Sequence, residues 1–571
     1  MPAGDQRYQA DADDAEARRA PPPAAEGRLT ASPGRQAGRR ARRDWAALAW
    51  AGLAWAGLAW TGLAWTGLAW AVGGAVLFGL LLRISLTTAL SSDVANNALQ
   101  AGDMLHGNVL LHGWILGDAT YDTFELPLFM LVEIFFGLHT IAGHIALALI
   151  YSIVAACAVA IAVTGSSGFS RAARAGVVVA MLAAPLLIYS DMWIPIGLPD
   201  HTGTTVFLLV CCLLVDRVPD RPWTPPLLCL ILCAGQLGDV SVRYVAVPAI
   251  ALVCAYRVIA GRKTLTGDTA NLVAALVSVP LAVVVRADMR HFGAYLMVAP
   301  KTTIAPAGEW PHNGALTWHA LRMLFGETAA VGAPPAGLAA VFGAGCLLAA
   351  AAGISLVLWH WRSARRAEQV LVVAIIANLV TYAISTLPAV RTPHDIVAVL
   401  PCGAVLAARA LVPARIAVRR AGLAAASAGL AAALVPLSLV AAGPVASSPW
   451  SQMAAWLHAH RLSYGLGGYW DASAVTLLSG DQVQIRTVMA TGRELTLKPW
   501  ETDTSWFDAA LHYADFVVID LGGTDKEPSL AEAEQVFGEP ATTHRVADWD
   551  ILIYGKNLLD DVKAAKLPPV S

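Results

Sequence analysis

The sequence has little charge for its length. Only 14% of its 571 residues are Asp, Glu, Lys or Arg, against about 25% in an ordinary soluble protein. Hydrophobic residues make up 57%, and the net charge is −2. A net charge this close to zero argues against a nucleic-acid partner. It predicts a polytopic α-helical membrane protein with the lipid bilayer as a partner.

Disulfide frameworks and nucleotide-binding loops are missing as well. All eight cysteines lie in apolar stretches, which argues against disulfides and against a cysteine metal site. The sequence contains no P-loop, no glycine-rich dinucleotide loop after a strand and no GxSxG motif. ATP-driven transport and Rossmann-type nucleotide-sugar chemistry therefore have no visible site.

Lys and Arg are absent between Arg83 and Arg171, although this stretch follows the first long apolar segment. Because cationic residues stay on the cytoplasmic side of a membrane, an acidic loop without them belongs outside. We expect residues 83–140 to form a first external loop with surface helices. Its region contains six carboxylates, which are Asp93, Asp103, Asp118, Asp122, Glu125 and Glu133.

Changes in composition divide the sequence into three parts. Residues 1–44 are polar and rich in Ala, Pro and Arg, and we expect a disordered cytoplasmic tail. Residues 45–443 form the predicted transmembrane domain. It opens with a Trp pentad repeat that builds no single helix face, since five residues advance a helix by about 140° net. Residues 444–571 regain charges and turn formers and predict an extracytoplasmic α/β domain.

Eleven apolar runs predict about eleven membrane spans, and Arg and Lys cluster in alternate loops between them. This alternation predicts a multi-pass protein of the cell (inner or plasma) membrane, with a cytoplasmic N-terminus and an external C-terminal domain. The runs are 63–82, 140–163, 175–190, 201–215, 225–238, 242–256, 269–285, 337–360, 369–386, 396–413 and 421–442.

In the C-terminal part, short apolar runs predict strands and amphipathic segments predict helices. The predicted strands are 483–488, 516–520 and 550–554, and the predicted helices are 451–460, 504–512 and 529–537.

Asp93 is the carboxylate with the most informative surroundings. Asp93, Asn97 and Gln100 recur at helical spacing, with apolar residues on the opposite face, which predicts an amphipathic helix on the membrane surface. Asp93 at its start could act as a general base. It could equally be a helix N-cap, because Ser91, Ser92 and Asp93 are all good capping residues.

Asp118, Asp122 and Glu125 are spaced at i, i+4 and i+7. On a helix they would share one face and could bind a hard divalent cation, Mg²⁺ or Mn²⁺, through oxygen ligands. A solvated loop explains the same residues. No other cofactor is indicated.

Two further charged positions stand at the ends of predicted spans. Asp239 interrupts an apolar hairpin, and an internal pair with Arg243 is one explanation for it. Arg391 opens a late span on the predicted outer side. It could bind a lipid-borne phosphate through a bidentate fork, or it could be a snorkelling interfacial arginine.

Four segments together make the chain resemble the GT-C superfamily of membrane glycosyltransferases, and an actinobacterial group related to it. These segments are Ser92–Gln100, Leu110–Trp114, Phe124–Pro127 and Tyr469–Ala472. The likeness spans most of residues 60–560. It implies a donor that is a polyprenyl-phosphate sugar, transfer on the outer face, and a glycan, lipid or protein acceptor.

The resemblance also implies roles for particular residues. Asp93 matches the catalytic carboxylate of the first loop, and Arg391 matches a donor-phosphate contact by position. Asn97, His112, Asp118 and Asp122 complete the predicted substrate-binding set. Asp93 is followed by Val94, whereas some family members have a paired Asp-Glu there. Two rival functions stay open, a transporter or flippase for a lipid-linked substrate and a non-catalytic cell-envelope assembly protein.

Overall fold

The computed structural model describes residues 67–68, 70–117, 119–187, 200–261, 265–298, 303–328, 337–389, 392–415, 419–523 and 527–564. The predicted tail at residues 1–44 and most of the Trp pentad repeat lie outside these residues. The chain divides into two units, Met1–Val72 and Gly73–Ser571. Apart from residues 70–72, everything described below belongs to the second unit.

The chain is mainly helical up to residue 443. Helix α1 (Trp70–Ser85) precedes the first loop, which contains α2 (Ser92–Leu105), β1 (Trp114–Leu116) and α3 (Glu125–Phe136). The elements that follow are α4 (Thr140–Ala162), α5 (Phe169–Ala183), α6 (Thr202–Arg217), α7 (Thr224–Gly238), α8 (Ser241–Ile259), α9 (Leu265–His291), β2 (Leu296–Met297), α10 (Trp310–Leu324), α11 (Leu338–Trp359), α12 (Arg366–Ile384), α13 (Val399–Leu411) and α14 (Arg419–Ala441).

A helix overlaps each of the eleven apolar runs, as the sequence predicts. Within the described residues, six helices are long and apolar enough to cross a membrane: α4, α5 with its 3₁₀ extension to Leu187, α8, α9, α11 and α12. The protein is therefore a multi-pass membrane protein. The number of crossings and their direction stay predictions.

The long helices share one apolar core of small and aliphatic side chains. Close packing is clearest where α11 meets α13. A Cβ atom on Gly353 would lie 2.7 Å from the backbone carbon of Leu406. Small residues allow helix backbones to approach in this way inside a membrane.

The C-terminal domain, residues 444–564, contains a six-stranded sheet in the order β5-β4-β3-β7-β9-β8. Its elements are α15 (Ser451–Ala459), β3 (Tyr464–Gly467), α16 (Tyr469–Leu478), β4 (Gln484–Thr491), β5 (Glu494–Leu497), β6 (Thr502–Asp503), β7 (Phe516–Asp520), α17 (Leu530–Phe537), β8 (Thr542–Val546) and β9 (Trp549–Ile553). Strand β3 is parallel to both neighbours, β4 and β7.

Alternating side chains give this sheet two buried faces, as the two-residue period of a strand requires. Phe516 and Val518 of β7 pack on one side together with residues of α15 and α16. Val517 and Ile519 pack on the other side together with α17. The predicted strands at 483–488, 516–520 and 550–554 and the helices at 451–460 and 529–537 all have counterparts here.

The predicted helix at 504–512 is wrong. Only a 3₁₀ turn, Thr504–Phe507, forms there, and Asp508 adopts extended backbone angles. The carboxylates of Asp503 and Asp508 accept hydrogen bonds from the backbone N–H groups of Ser505 and Ala510. Such local side-chain bonds compete with a regular helix.

A small second sheet joins the first loop to the C-terminal domain. Its strand order is β2-β1-β6, with Trp114 opposite Asp503 and Ile115 opposite Thr502. The Trp114 ring also meets the Trp506 ring edge-on, with centroids 5.0 Å apart. This joint brings the residue just before β6, Glu501, against the start of α2.

Candidate active site

Helix α2 begins with Ser91 as its N-cap, and the Ser91 hydroxyl accepts a hydrogen bond from Val94 N. Asp93 therefore lies in the first turn and is not the cap. Its Oδ1 atom instead accepts a hydrogen bond of 2.6 Å from the Tyr469 hydroxyl. The capping explanation for Asp93 is thereby removed.

The C-terminal domain covers α2, which packs between α3 and α16. Ser92 donates to the carbonyl oxygen of Trp470 at 2.6 Å, and Ser473 donates to Asn96 Oδ1 at 2.5 Å. The C-terminal domain therefore supplies hydrogen-bond partners for Ser92 and Asn96 of this helix. Asp93 is only half-buried, whereas Asn96 and Asn97 are fully buried.

A second carboxyl, Glu501, faces Asp93 across the Tyr469 hydroxyl. Tyr469 Oη lies 2.7 Å from Glu501 Oε2. Asn96 Nδ2 donates to the same Oε2 atom at 2.9 Å and to Tyr469 Oη at 3.3 Å. The ammonium of Lys498 lies 3.7 Å from the centre of the Tyr469 ring. We call Asp93, Asn96, Tyr469, Lys498 and Glu501 the carboxyl cluster.

Local backbone geometry positions the two residues from the C-terminal domain. Tyr469 is the first residue of α16, directly after β3 and the N-cap Gly468. Glu501 adopts a positive φ of 49°, which is uncommon for a residue with a side chain. It directly precedes β6, the strand that pairs with β1. Neither position follows from local sequence propensity.

Burial raises the pKa of Asp93 to about 7, and the charge of Asp200 adds to the rise. The hydrogen bond from Tyr469 and the charges of His394 and Lys498 oppose it. Burial raises the pKa of Glu501 well above its usual range, and the charge of Asp93 adds to that rise. A carboxyl whose pKa lies near neutrality suits general-base chemistry.

A second polar group, centred on His201, lies near the carboxyl cluster. His201 Nδ1 lies 2.8 Å from Asp239 Oδ2, and His201 Nε2 lies 3.4 Å from Asp395 Oδ1. The His394 ring is stacked on the His201 ring at 6.1 Å. Asp239 thus pairs with His201 and not with Arg243, which donates to Gln236 Oε1 instead.

The predicted substrate residues have varied surroundings. Asn97, one turn after Asp93, is fully buried, and neither of its amide atoms has a hydrogen-bond partner among the described residues. His112 bonds through Nδ1 to the Gly293 carbonyl at 2.6 Å. Asp122 accepts from Thr120 at 2.9 Å and from Tyr295 at 3.0 Å. Asp118 and Arg391 lie outside the described residues.

The helical face proposed for Asp118, Asp122 and Glu125 does not form, because α3 begins only at Glu125. The backbone N–H groups of Thr120 and Tyr121 bond to the Gly238 carbonyl instead, and Glu125 Oε1 accepts from Gly203 N at 2.7 Å. Across the described part of the chain, no group of three His, Cys, Asp or Glu side chains could hold a metal ion.

Sequence reasoning selected Asp93 and Asn97 but missed Tyr469, Glu501 and the histidine pair. In the sequence, the segment Tyr469–Ala472 contributes only to the family resemblance. Glu501 carries no motif, and only the pairing of β1 with β6 places it beside Asp93.

No protein-family model and no curated protein matches the chain. Solved structures do match. The apo crystal structure of ArnT from Cupriavidus metallidurans aligns with a TM-score of 0.52 and 13% identity, over 87% of this chain and 99% of that one. ArnT from the same organism bound to undecaprenyl phosphate aligns with a TM-score of 0.47 and 13% identity, over 86% of this chain and 97% of that one. The likeness to apo ArnT establishes that this chain has a GT-C-like membrane fold with a C-terminal sheet domain.

Proposed function

We propose that the protein is a glycosyltransferase that moves a sugar from a polyprenyl-phosphate donor to an extracytoplasmic acceptor, with Asp93 as general base. The proposal places it in the GT-C superfamily, in the actinobacterial-type group that its sequence resembles. The observation that carries it is the environment of Asp93. This half-buried carboxyl lies in the first turn of α2 and does not cap the helix.

The reaction would be a one-step displacement. The acceptor hydroxyl oxygen attacks the anomeric carbon, the bond from that carbon to the phosphate oxygen breaks, and its electron pair leaves with the polyprenyl phosphate. Asp93 takes the proton of the hydroxyl. The configuration at the anomeric carbon inverts.

Asp93 is suited to this role in two ways. Tyr469 donates to Oδ1, and no described residue donates to Oδ2, so Oδ2 can accept from an incoming hydroxyl. The pKa of Asp93 near 7 lets the carboxylate both exist and take up a proton around neutral pH. In this proposal Asn97, whose amide is buried without a partner, contributes to substrate binding.

The test uses the purified full chain in lipid nanodiscs with a panel of labelled polyprenyl-phosphate sugars and a membrane or cell-wall acceptor extract. Asp93→Asn should abolish sugar transfer while the protein remains folded. Asp103→Asn is the matched control, because Asp103 lies on the same helix and bonds to Trp114 and Asn108.

Three outcomes are informative. Full transfer activity in Asp93→Asn would show that Asp93 is not the base. No transfer by the wild-type protein with any donor would sink the glycosyltransferase proposal. Movement of a lipid-linked sugar across the bilayer without transfer would then favour the flippase, and a lack of both would favour an assembly protein.

A further inference from the structure

The carboxyl cluster contains three oxygen atoms in a row: Asp93 Oδ1, Tyr469 Oη and Glu501 Oε2. We propose that Tyr469 and Glu501 are positioning residues that store one proton beside Asp93, with Glu501 as a neutral acid and Asp93 as the ionised carboxylate. The C-terminal domain thereby sets the protonation state of a residue in the first membrane loop. The consequence for catalysis rests on the proposed function, whereas the location of the proton does not.

Counting protons supports this inference. The contacts of 2.6 Å and 2.7 Å on either side of Tyr469 Oη are both ordinary O–H···O hydrogen-bond lengths. Each contact needs one proton between its two oxygens, and a tyrosine hydroxyl supplies only one. If both carboxyls were ionised, one contact would bring two lone pairs together. The second proton therefore belongs to Asp93 or to Glu501.

Burial favours Glu501 as the group that keeps it. Glu501 is 7% exposed and Tyr469 is 3% exposed, whereas Asp93 is half-buried. A charge costs more the more fully it is removed from water. Asn96 donates to Glu501 Oε2 at 2.9 Å, and a protonated carboxyl oxygen can still accept such a bond.

The charged groups around the cluster point the same way. Lys498 and His394 lower the pKa of Asp93 and so favour its ionised form, while Asp200 raises it. Burial and the charges of Asp93 and Asp200 raise the pKa of Glu501, whereas its contacts with Tyr469 and Asn96 lower it. Lys498 and His394 therefore favour the ionised form of Asp93.

The proton on Glu501 fixes the directions of the hydrogen bonds within the carboxyl cluster. Glu501 donates to Tyr469 Oη, so the Tyr469 hydroxyl must direct its own proton to Asp93 Oδ1. That bond holds the carboxylate in one orientation and stabilises its ionised form. Oδ2 then remains for the acceptor hydroxyl.

Glu501→Gln is the most informative variant, because an amide is neutral at every pH and its N–H group can still donate to Tyr469 Oη. We expect Glu501→Gln to change the alkaline limb of the pH–rate profile. At alkaline pH, where Glu501 loses its proton, wild-type activity should fall and Glu501→Gln should retain it. A fall in kcat at every pH, equal to that of Asp93→Asn, would overturn the positioning role.

Infrared difference spectroscopy of the carboxylic-acid C=O stretch tests the proton without any need for activity. At mildly alkaline pH, above the pKa of Asp93 near 7, the band of one buried carboxylic acid should be lost in Glu501→Gln and kept in Asp93→Asn. A band lost in Asp93→Asn and kept in Glu501→Gln would place the proton on Asp93 and overturn the proposal, as would a band unchanged in both variants.

Glu534→Gln is the control for the spectrum and for the pH profile, since it makes the same chemical change on the exposed side of α17. The two readouts also separate two failures. If the wild-type protein transfers no sugar, the proposed function fails while the infrared band still locates the proton. If transfer occurs and the band is not that of Glu501, the positioning role alone fails.

Discussion

Two sites in the molecule hold buried carboxyls in opposite ways. Near the C-terminal end of α8, Arg257 pairs with Asp268 at 3.2 Å, and Arg366 pairs with the same carboxylate at 2.7 Å. In the carboxyl cluster, the hydrogen-bond partners of the two carboxyls are the neutral side chains of Tyr469 and Asn96. No salt bridge joins a cation to either Asp93 or Glu501 among the described residues.

The two environments suit different roles, which are structural support at Asp268 and proton transfer at the carboxyl cluster. A buried ion pair that loses one of its partners leaves an uncompensated charge. A carboxyl held by neutral donors can gain or lose a proton at modest cost, which is what a general base requires. The comparison predicts that stability depends on the Asp268 region and activity on the carboxyl cluster.

The largest effect is expected for Asp93→Asn. Loss of a general base lowers kcat by about 10²–10⁴-fold, while the free energy of unfolding should hold or rise because a buried ionisable group is removed. Steady-state transfer kinetics and thermal unfolding of the same preparation measure both quantities. A large loss of stability together with activity would break the comparison, because Asp93 would then be a structural residue.

Asp268→Asn should show the reverse pattern. Asp268 is fully buried, and its replacement leaves Arg257 and Arg366 without a counter-charge, which costs about 3–5 kcal/mol. Activity per folded molecule should stay unchanged. Asp561→Asn, in the exposed pair with Lys556, is the control and should cost only about 0–1 kcal/mol.

Tyr469→Phe removes the hydroxyl between the two carboxyls. Because the Tyr469 hydrogen bond lowers the pKa of Asp93, its loss should move the acid limb of the pH–rate profile to higher pH. A hydrogen bond to a charged group is worth about 1.5–3 kcal/mol, so kcat at neutral pH should fall by about tenfold or more and recover at higher pH. Tyr513→Phe, at an exposed tyrosine, should leave the profile in place.

The sequence predicted the helices of the membrane part well because the length of an apolar run is a local signal. Each apolar run produced a helix, and the spacing of Asp93, Asn97 and Gln100 predicted α2. The C-terminal domain was harder to predict. Helix α16 was not predicted, and the segment 504–512 was assigned to a helix although its aspartates bond to the local backbone.

The position of Glu501 in the site could not be predicted from the sequence for a different reason. Asp93 and Glu501 are about four hundred residues apart and meet only because β6 pairs with β1. The backbone of Glu501 has a positive φ that no neighbouring glycine announces. Sequence proximity offers Arg243 as one partner for Asp239, yet Asp239 binds His201, which lies 38 residues away in the sequence.

The smallest effect concerns stability and pH. Burial raises the pKa of Asp93 from 3.8 to about 7, and the pKa of Glu501 rises as well, so the folded protein keeps protons that the unfolded chain has lost. The free energy of unfolding should therefore fall as pH rises through this window. Glu501→Gln removes one of the two groups, so its melting temperature should fall less than that of the wild-type protein between about pH 5 and pH 8. Glu534→Gln should follow the wild-type curve. A Glu501→Gln curve parallel to the wild-type curve would mean that Glu501 titrates alike in the folded and unfolded chains, and the contrast between the Asp268 region and the carboxyl cluster would then rest on Asp93 alone.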